Sequence, residues 1–504
     1  MFDLRLGALI VSAAVLLSIG GVVAQERPAG GAGKRPNVIV VMTDDQTVED
    51  LRVMPHTRAL LGARGVTFDR SYVSYPVCCP SRATFLSGQY AHNHRVLGLY
   101  PPTGGYGRFD AANSLPVWLR RAGYRTAHLG KYMNGYGTDT PATTPPGWSD
   151  WYGAVGYSTY RMWGYKLNEN GRTRTYGRPL DADPREYQTD VLTRRALEVI
   201  KEQRTRSQPL FMSLSYLAPH HEAPSVRRAS RKLVRPAPRY AGALAGASLP
   251  RTPAFDEADV SDKPAFIRRR PRLDAAQVAR IARHHRERQE SLLAVDEGIA
   301  KIVATLRRTG QLERTYILFT SDNGYMQGEH RVPSGKMLPY DPSTRVPLLL
   351  RGPGLPAGAH SDALVGNVDL APTILALAKA RPGKRLDGLS LLPFARDPRR
   401  TTRRPLLHET GGRRFTAPRD QDPAAIPATR PVLAYRAIRT DRWLYIRYRN
   451  GARELYDLER DPDQLRSLHA DPHYRATRQS LQRALVRLSR CQGPECGAPM
   501  PGAG

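Results

Sequence analysis

The sequence predicts an α/β protein, with a mostly parallel sheet flanked by helices and a smaller C-terminal α+β domain that contains an antiparallel sheet. Short continuous apolar runs alternate with helix-compatible segments, which is typical of parallel strands covered on both faces. Two of these runs end in adjacent polar residues, Asp44-Asp45 and Asp322-Asn323. Near the C-terminus, two short strand-like runs are joined by a turn and predict an antiparallel hairpin.

The first strand is predicted at residues 36–42, where an apolar run begins at Pro36 and stops before Thr43. Functional groups of parallel sheets gather at the carboxyl ends of the strands, so the polar residues that follow this strand are candidates for a site. The other elements follow from the same patterns. Strands are expected at 124–129, 210–217, 316–320 and 346–350, a strand or loop at 66–72, and helices at 51–64, 115–122, 187–202, 274–307 and from Ser81 onward.

The chain is long enough for two domains. Their boundary is expected near residues 394–405, because a hairpin and a terminal helix follow it. Two Pro-rich or irregular stretches are expected to be surface segments. The predicted ranges are 36–395 for the α/β domain, 396–490 for the α+β domain with strands at 443–448 and 453–458 and a helix at 477–488, 491–504 for a tail, and 226–272 and 411–431 for the two surface stretches.

The N-terminus has the pattern of a signal peptide. Residues 6–24 carry no charge, follow Arg5 and end in small residues before Gln25, which predicts a leader at 1–24 and a flexible linker at 25–35. The apolar run is also just long enough to span a bilayer. Membrane attachment is therefore expected only if the leader stays uncleaved, and in either case the folded part is exported or secreted.

The chain contains four cysteines. Cys491 and Cys496 are spaced for a small loop, and we expect a disulfide between them in an exported protein. A zinc ribbon would need another pair of ligands nearby, and the sequence offers none. Cys78 and Cys79 are neighbours, which rarely bond to each other. Cys79 is expected to be buried and inert.

The formal net charge is +30, from 76 Lys and Arg against 46 Asp and Glu. Such a surface attracts polyanions, although a generally arginine-rich proteome would give the same composition. The basic residues are spread over the whole length. No helix-turn-helix, zinc-finger or RNA-binding signature is present, so nucleic acid is not an expected partner.

Asp44, Asp45, Asp322 and Asn323 supply four oxygen-bearing side chains at the ends of two predicted strands. An all-oxygen set suits a hard divalent cation such as Ca²⁺ or Mg²⁺. The alternative for an isolated Asp-Asp pair is a helix cap.

Residues 78–88 read Cys-Cys-Pro-Ser-Arg-Ala-Thr-Phe-Leu-Ser-Gly. This run resembles the signature of the type I sulfatases, in which a modifying enzyme oxidises the first cysteine of Cys-x-Pro-Ser-Arg to formylglycine. The alternative is a buried cysteine pair at a helix start. The resemblance to the family extends to residues 37–45, 130–131, 218–220, 321–324, 335–336, 345–347, 454–458 and 461–462. The N-acetylglucosamine-6-sulfatase branch looks most similar at residues 77–82, 91–94, 130–132 and 321–325.

The resemblance implies an alkaline-phosphatase-like core with Ca²⁺ in preference to Mg²⁺. The cation would be held by the four oxygen residues together with formylglycine at Cys78, and a formylglycine-generating enzyme would be a partner during biosynthesis. Arg82 would hold the aldehyde hydrate and neutralise charge. Lys131 and Lys336 would bind the sulfate oxygens, and His220 would protonate the leaving alcohol. Read without the resemblance, both lysines are ordinary surface residues.

Some positions depart from the broader family pattern. Many sulfatases have a histidine two residues after the lysine that corresponds to Lys131, whereas this chain has Met133, followed by Asn134. Met326 also stands where related sequences often have histidine. Among the histidines of this chain, His284 and His285 are expected to be solvated, and His330 is a candidate for the substrate pocket.

The function implied is that of an exported sulfatase that hydrolyses sulfate esters on amino sugars or sulfated glycans, with aryl sulfates as further substrates. Two alternatives stay open at this point. One is a phosphonate or phosphate ester hydrolase with the same core, and the other is a glycan-binding protein in which Cys78 stays unmodified.

Overall fold

A ten-stranded sheet forms the centre of the structure, a computed structural model that describes residues 35–178, 183–222, 234–411 and 434–500. The strands are β1 Asn37–Thr43, β2 Val66–Phe68, β3 Ser71–Tyr72, β4 Arg125–Gly130, β5 Asp150–Ala154, β6 Tyr165–Glu169, β7 Arg172–Tyr176, β8 Leu210–Ser215, β9 Thr315–Ser321, β10 Leu348–Arg351, β11 Ala359–Ser361, β12 Val365–Gly366, β13 Leu406–Glu409, β14 Tyr435–Arg439, β15 Trp443–Tyr448 and β16 Arg453–Asp457. The helices are α1 Pro55–Thr57, α2 Cys78–Ser87, α3 Ala91–His94, α4 Leu115–Arg121, α5 Gln188–Gln203, α6 Ala265–Arg268, α7 Ala275–Arg308, α8 Asp341–Thr344, α9 Leu370–Ala378, α10 Leu392–Arg396 and α11 Arg475–Leu488.

The strand order of this sheet is β11-β2-β10-β9-β1-β8-β4-β5-β6-β7. Its middle is parallel, because β1 pairs with both β8 and β9, and β4 pairs with β8 and β5. All seven residues of β1 are buried, as expected for the central strand of a sheet covered on both faces. The predicted α/β fold class is therefore confirmed.

Several details differ from the sequence predictions. The strand expected at 346–350 pairs antiparallel with β9. The strands β5, β6 and β7 were not predicted, and β7 is mostly exposed at the edge. The helix expected at 51–64 is divided into a 3-10 turn, α1 and a π turn, because Pro55 pushes Met54 out of the helical region, to φ −115° and ψ 68°.

The C-terminal region contains a separate antiparallel sheet in the order β13-β14-β15-β16. The predicted hairpin is β15 and β16, in register from Trp443 opposite Asp457 to Arg447 opposite Arg453. The predicted terminal helix is α11, and Cys491 and Cys496 form a disulfide. The antiparallel C-terminal sheet is thus confirmed, while the domain boundary stays a prediction.

Several predictions lie outside the described residues. These are the leader at 1–24, most of the linker at 25–35, and parts of the stretches at 226–272 and 411–431. Within the described ranges, the structure contains no helix with the length and apolar character of a membrane span.

The register of the parallel strands brings four chain segments to one edge of the sheet. Thr43 lies opposite Ser321 and Met42 opposite Ser215, while Gly130 also pairs with Ser215. The residues that directly follow β1, β9, β8 and β4 therefore leave the sheet side by side. This edge carries most of the candidate site residues.

Gly130 ends β4 directly before Lys131 and has φ +97°, a conformation that favours glycine. A Cβ atom at this position would lie 2.0 Å from the carbonyl oxygen of Ser215. We predict that Gly130→Ala lowers the free energy of unfolding by at least about 3 kcal/mol, from backbone strain and overpacking together. Urea denaturation measures this loss.

Gly135→Ala is the matched control, because Gly135 has φ +80° with nothing within 4 Å of the added Cβ. This variant is expected to lose only the backbone strain, about 1–2 kcal/mol. Equal losses in the two variants would contradict the close approach at Gly130.

Candidate active site

Helix α2 places Cys78 at the edge of the sheet. Val77 before it is extended, with φ −156° and ψ 144°, so the helix begins at Cys78 itself. The helix ends at Gly88, whose left-handed φ of 66° is favoured by glycine. All ten residues of α2 are buried, and its N-terminal end carries a partial positive charge.

The thiol of Cys78 lies between an acidic side chain and a basic side chain. Its Sγ is 3.3 Å from Oδ1 of Asp44 and 2.9 Å from Nζ of Lys336. Lys336 also donates to Oδ1 of Asp45 at 2.6 Å. Burial raises the pKa of the Cys78 thiol well above its usual value, and Asp322 and Asp44 raise it further. As a thiol, this side chain is therefore a poor nucleophile.

Arg82, one helical turn after Cys78, contacts the segments that follow the three strands β9, β4 and β1. Its Nε donates to Oδ2 of Asp322 at 2.8 Å, and Nη1 donates to the carbonyl oxygen of Lys131 at 2.6 Å. Its Nη2 lies 3.5 Å from Oδ2 of Asp44. The guanidinium thus compensates two carboxylates that are fully buried.

The carboxylates of Asp44 and Asp322 have opposite pKa shifts. Burial by itself would raise the pKa of Asp44, but Lys131, His220, Arg82 and Lys336 outweigh this effect and lower it. The pKa of Asp322 is raised by burial and by the neighbouring Asp44. Asp44 therefore holds its negative charge more firmly than Asp322.

Lys131 contacts Asp44 directly and is 2% exposed. Burial would lower the pKa of its ammonium group, but Asp44, Cys78 and Asp322 together outweigh burial and raise it. The Nζ atom also lies 4.6 Å from the centroid of the Tyr160 ring. Lys131 and Lys336 therefore face the same small volume with charged side chains.

Two buried oxygens next to Cys78 have no hydrogen-bond partner among the described residues. They are Oδ2 of Asp45 and Oδ1 of Asn323. The other atoms of these groups are engaged, because Nδ2 of Asn323 donates to Oδ1 of Asp45 at 2.6 Å. An unpaired buried acceptor costs about 1–3 kcal/mol, and a bound cation would remove this cost. The donor set therefore fits a hard divalent ion.

The tightest group of candidate ligand atoms shares three members with the predicted set and contains His220, which was not a predicted ligand. Asp44, Asp45, Cys78 and His220 offer atoms that all lie within 4.8 Å of one another. Asp322 lies beside this group, where its Oδ1 accepts from the backbone N–H of Asp45 at 3.3 Å. The structure thus brings all the predicted ligands together and adds His220 to the innermost group.

His220 is fully buried after β8. Its Nδ1 lies 2.7 Å from the carbonyl oxygen of His221, which only accepts hydrogen bonds, so Nδ1 carries a proton. Nε2 faces the site at 3.7 Å from Oδ2 of Asp45, and the ring lies 5.1 Å from Tyr160. This orientation presents Nε2 to a reacting group.

A family model described as Sulfatase matches residues 36–380. The chain belongs to the sulfatase family. A human N-acetylglucosamine-6-sulfatase is 32% identical over 97% of this chain and 90% of that protein. A Caenorhabditis elegans protein described as an extracellular sulfatase Sulf-1 homologue is 36% identical over 71% of this chain, which spans 48% of that relative's length. The predicted resemblance to type I sulfatases is confirmed, and with it the assignment as a sulfuric ester hydrolase.

Solved structures agree with this sulfatase fold. A structure described as a complex with its substrate D-glucosamine-2-N,6-O-disulfate has a TM-score of 0.70, with 23% identity over 90% of this chain and 97% of that one. A phosphonate monoester hydrolase from Silicibacter pomeroyi has a TM-score of 0.65, with 22% identity over 92% of this chain and 96% of that one. At these identities the likeness shows the fold alone.

Sequence reasoning missed Arg288 of this sulfatase. It is fully buried on α7, donates to the backbone carbonyl of Asp45, and lies 4.4 Å over the ring of Tyr325. The helix was predicted, but it contains many arginines, and its periodicity did not single out this one. A buried cation thus supports the backbone of Asp45, whose φ is +68°.

The expectation that His284 and His285 are solvated is wrong. His285 is 1% exposed, and its Nδ1 lies 3.0 Å from Oε1 of Gln327. The His284 ring packs edge-on against His221, with ring centroids 4.5 Å apart. Both residues face the segments that follow β8 and β9, which a short histidine pair does not reveal in the sequence.

Three other histidines have partners within the protein. His330 is fully buried and bonds to Oε2 of Glu257 at 2.7 Å. His92 lies 3.0 Å from Oε1 of Glu409, and His94 lies 3.0 Å from the Thr84 hydroxyl. The candidacy of His330 for the substrate pocket stays a prediction.

Loss of the Arg82 guanidinium would leave Asp322 buried without its principal ion-pair partner. We predict that Arg82→Met lowers the free energy of unfolding by about 3 kcal/mol, because an uncompensated buried charge is strongly destabilising. The double variant with Asp322→Asn is expected to recover part of this loss. Urea denaturation of both variants measures the effect.

Arg185→Met is the control, because the Arg185–Asp183 pair lies at 2.9 Å but the arginine side chain is 87% exposed. This variant is expected to change stability by less than about 0.5 kcal/mol. A similar small effect for Arg82→Met would show that the buried network does not depend on the guanidinium.

Proposed function

We propose that this sulfatase hydrolyses sulfate esters of amino sugars or sulfated glycans by means of a formylglycine formed from Cys78. The observation that carries the proposal is the position of Cys78, at the start of α2 between Asp44 and Lys336. The N-acetylglucosamine-6-sulfatase name of one relative and the disulfated glucosamine bound in one structural neighbour support the choice of an amino sugar.

In this proposal, the Cys78 sulfur marks the place where the aldehyde hydrate would carry its hydroxyl groups. Because Cys78 is fully buried, the modifying enzyme would act on the chain before it folds. The partner during biosynthesis is therefore a formylglycine-generating enzyme that reads residues 78–82 in an extended chain. Cys79, which is also fully buried, takes no part in this chemistry.

Asp44, Asp45, Asp322 and Asn323 would hold the divalent cation together with the modified residue at position 78. Ca²⁺ is proposed in preference to Mg²⁺, because three carboxylates and an amide oxygen converge here, whereas Mg²⁺ usually keeps several waters and takes only one or two carboxylates. When bound, the ion supplies polarisation of a sulfate oxygen and lowers the pKa of the attacking hydroxyl.

The chain's own residues would then carry the reaction. Lys131 and Lys336 bind the non-attacking sulfate oxygens, and Arg82 compensates the charge of the hydrate. One hydroxyl of the hydrate gives its proton to Asp322 and attacks sulfur, and the bond from sulfur to the alcohol oxygen breaks. Nε2 of His220 gives a proton to the departing alcohol. The remaining hydroxyl then gives its proton to Nε2 of His220, the bond from carbon to the sulfate oxygen breaks, and sulfate leaves with the aldehyde restored. Asp322 releases its proton to solvent, and water adds to the aldehyde to form the hydrate again.

We also propose that the protein acts outside the cytoplasm, in line with the predicted leader and with the extracellular name of one relative. It would stay membrane-attached only with an uncleaved leader. The net charge of +30 would favour capture of polyanionic glycans.

The second candidate is a phosphonate ester hydrolase, because the Silicibacter pomeroyi enzyme has the same fold. Both activities require charged groups around a tetrahedral anion. Relative turnover of an aryl sulfate and an aryl phosphonate distinguishes them, because the sulfatase assignment requires the sulfate to be the better substrate.

We predict that Cys78→Ala lowers kcat for sulfate release by at least about a thousandfold, because the attacking group is lost. Cys79→Ala is the matched control, with the same change at a neighbouring buried thiol, and it is expected to keep kcat within about threefold. Ion chromatography of sulfate released from N-acetylglucosamine 6-sulfate measures both. Substantial turnover by Cys78→Ala would rule out the proposed nucleophile.

The proposed cation site predicts stabilisation by Ca²⁺. At about 100 times its dissociation constant, Ca²⁺ is expected to add about 2.7 kcal/mol to the free energy of unfolding, which raises the melting temperature. Asp45→Asn should remove this increase. Asp296→Asn is the control, because Asp296 is a buried carboxylate that accepts from the backbone N–H of His56 at 3.0 Å, away from the site.

Calorimetry with Ca²⁺ and with a chelator measures these shifts. The Asp296→Asn protein is expected to melt lower and still respond to Ca²⁺ as the wild type does. A full Ca²⁺ response in Asp45→Asn would contradict the assigned ligands.

A further inference from the structure

A small cavity lies against the side chain of Lys131. Tyr100, Asn134, Tyr157 and Tyr160 are among the residues that line it. Lys131 is one of the two lysines proposed to bind the sulfate group, so the cavity lies next to the place where the alcohol part of the ester would bind. None of the steps proposed above uses Asn134.

Asn134 is 5% exposed, and only one end of its side-chain amide is paired. Its Nδ2 donates to the hydroxyl of Tyr160 at 2.7 Å. Its Oδ1 is buried and has no hydrogen-bond partner among the described residues. A buried amide oxygen without a donor is costly, and Asn134 lines the cavity, so a donor that entered there would remove this cost.

Tyr160 links this amide to the reacting groups. The centroid of its ring lies 4.6 Å from Nζ of Lys131 and 5.1 Å from the centroid of the His220 ring. Asn134 therefore holds, through the Tyr160 hydroxyl, a ring that contacts both the sulfate-binding lysine and the histidine proposed to protonate the leaving alcohol.

We propose that Oδ1 of Asn134 accepts a hydrogen bond from a hydroxyl group of the sugar that carries the sulfate ester, and so determines specificity for sugar sulfates over simple aryl sulfates. This inference rests on the proposed function. Tyr100 and Tyr157 are half-buried at the same cavity and offer aromatic surface to the apolar face of a sugar ring. A site that hydrogen-bonds a substrate hydroxyl discriminates against analogues that lack it, because its polar group is then left unpaired.

The experiment compares wild type, Asn134→Ala and Asn134→Asp on two substrates. The first is N-acetylglucosamine 6-sulfate, which has hydroxyl donors, and the second is 4-nitrophenyl sulfate, which has none. For Asn134→Ala, kcat/KM is expected to fall at least about tenfold with the sugar sulfate and less than about threefold with the aryl sulfate. Asn134→Asp keeps an acceptor oxygen and is expected to restore the ratio of the two values toward that of wild type.

The ratio is measured on one preparation, so it does not depend on the fraction of protein that is folded. An equal loss with both substrates, or no loss with either, would overturn the inference, since Asn134 would then serve only to hold Tyr160 or have no influence. A low ratio in Asn134→Asp would overturn it as well. If wild type with formylglycine at position 78 hydrolyses neither sulfate, the proposed function itself fails, which is a separate outcome.

Discussion

The structure depends on mutual compensation of charges that are buried at one edge of the central sheet. Asp44, Asp45 and Asp322 face Arg82, Lys131 and Lys336, and each of the six is at most 3% exposed. If any one of these six groups were lost, its partner would remain as an uncompensated charge in a medium of low dielectric constant, which is destabilising. Three negative and three positive groups balance, so an added divalent cation would leave an excess of positive charge that a sulfate anion reduces. The same compensation that stabilises the fold therefore suits the proposed substrate.

The small C-terminal sheet supports this arrangement from outside. Its edge strand β13 is hydrogen-bonded to the segment before α2. The backbone N–H of Glu409 donates to the carbonyl oxygen of Ser74 at 2.8 Å, and Nδ1 of His408 lies 3.0 Å from the carbonyl oxygen of Val73. The carbonyl oxygen of Cys491, next to the disulfide, accepts from Asn93 at 2.9 Å. The C-terminal region thus holds in place both the segment that leads into α2 and the short helix α3 that follows it.

Much of this edge could be predicted from the sequence, because the signals are local. The apolar runs of β1 and β9 each stop at adjacent polar residues, and the motif at residues 78–88 marks the start of α2. A parallel sheet then places these segments together by register alone. The predicted site residues meet for this reason, although they are separated by up to 292 positions, from Asp44 to Lys336.

Other features depend on tertiary contacts that no local pattern carries. Strands β6 and β7 contain few apolar residues, and they are strands because β6 pairs with β5 and the edge strand β7 pairs with β6. The antiparallel direction of β10 follows from the path of the chain after Lys336 and not from its apolar run. Arg288 resembles the other arginines of α7 until the helix docks, and the role of Asn134 is visible only from the unpaired oxygen beside Lys131.

The central claim is that Cys78 becomes an aldehyde within this buried set of charges. Mass spectrometry of the peptide that contains Cys78, from protein that releases sulfate, tests it most directly. The account predicts the mass of formylglycine, and a carbonyl-reactive hydrazide should label the same peptide. An unmodified thiol at position 78 in fully active protein would contradict it.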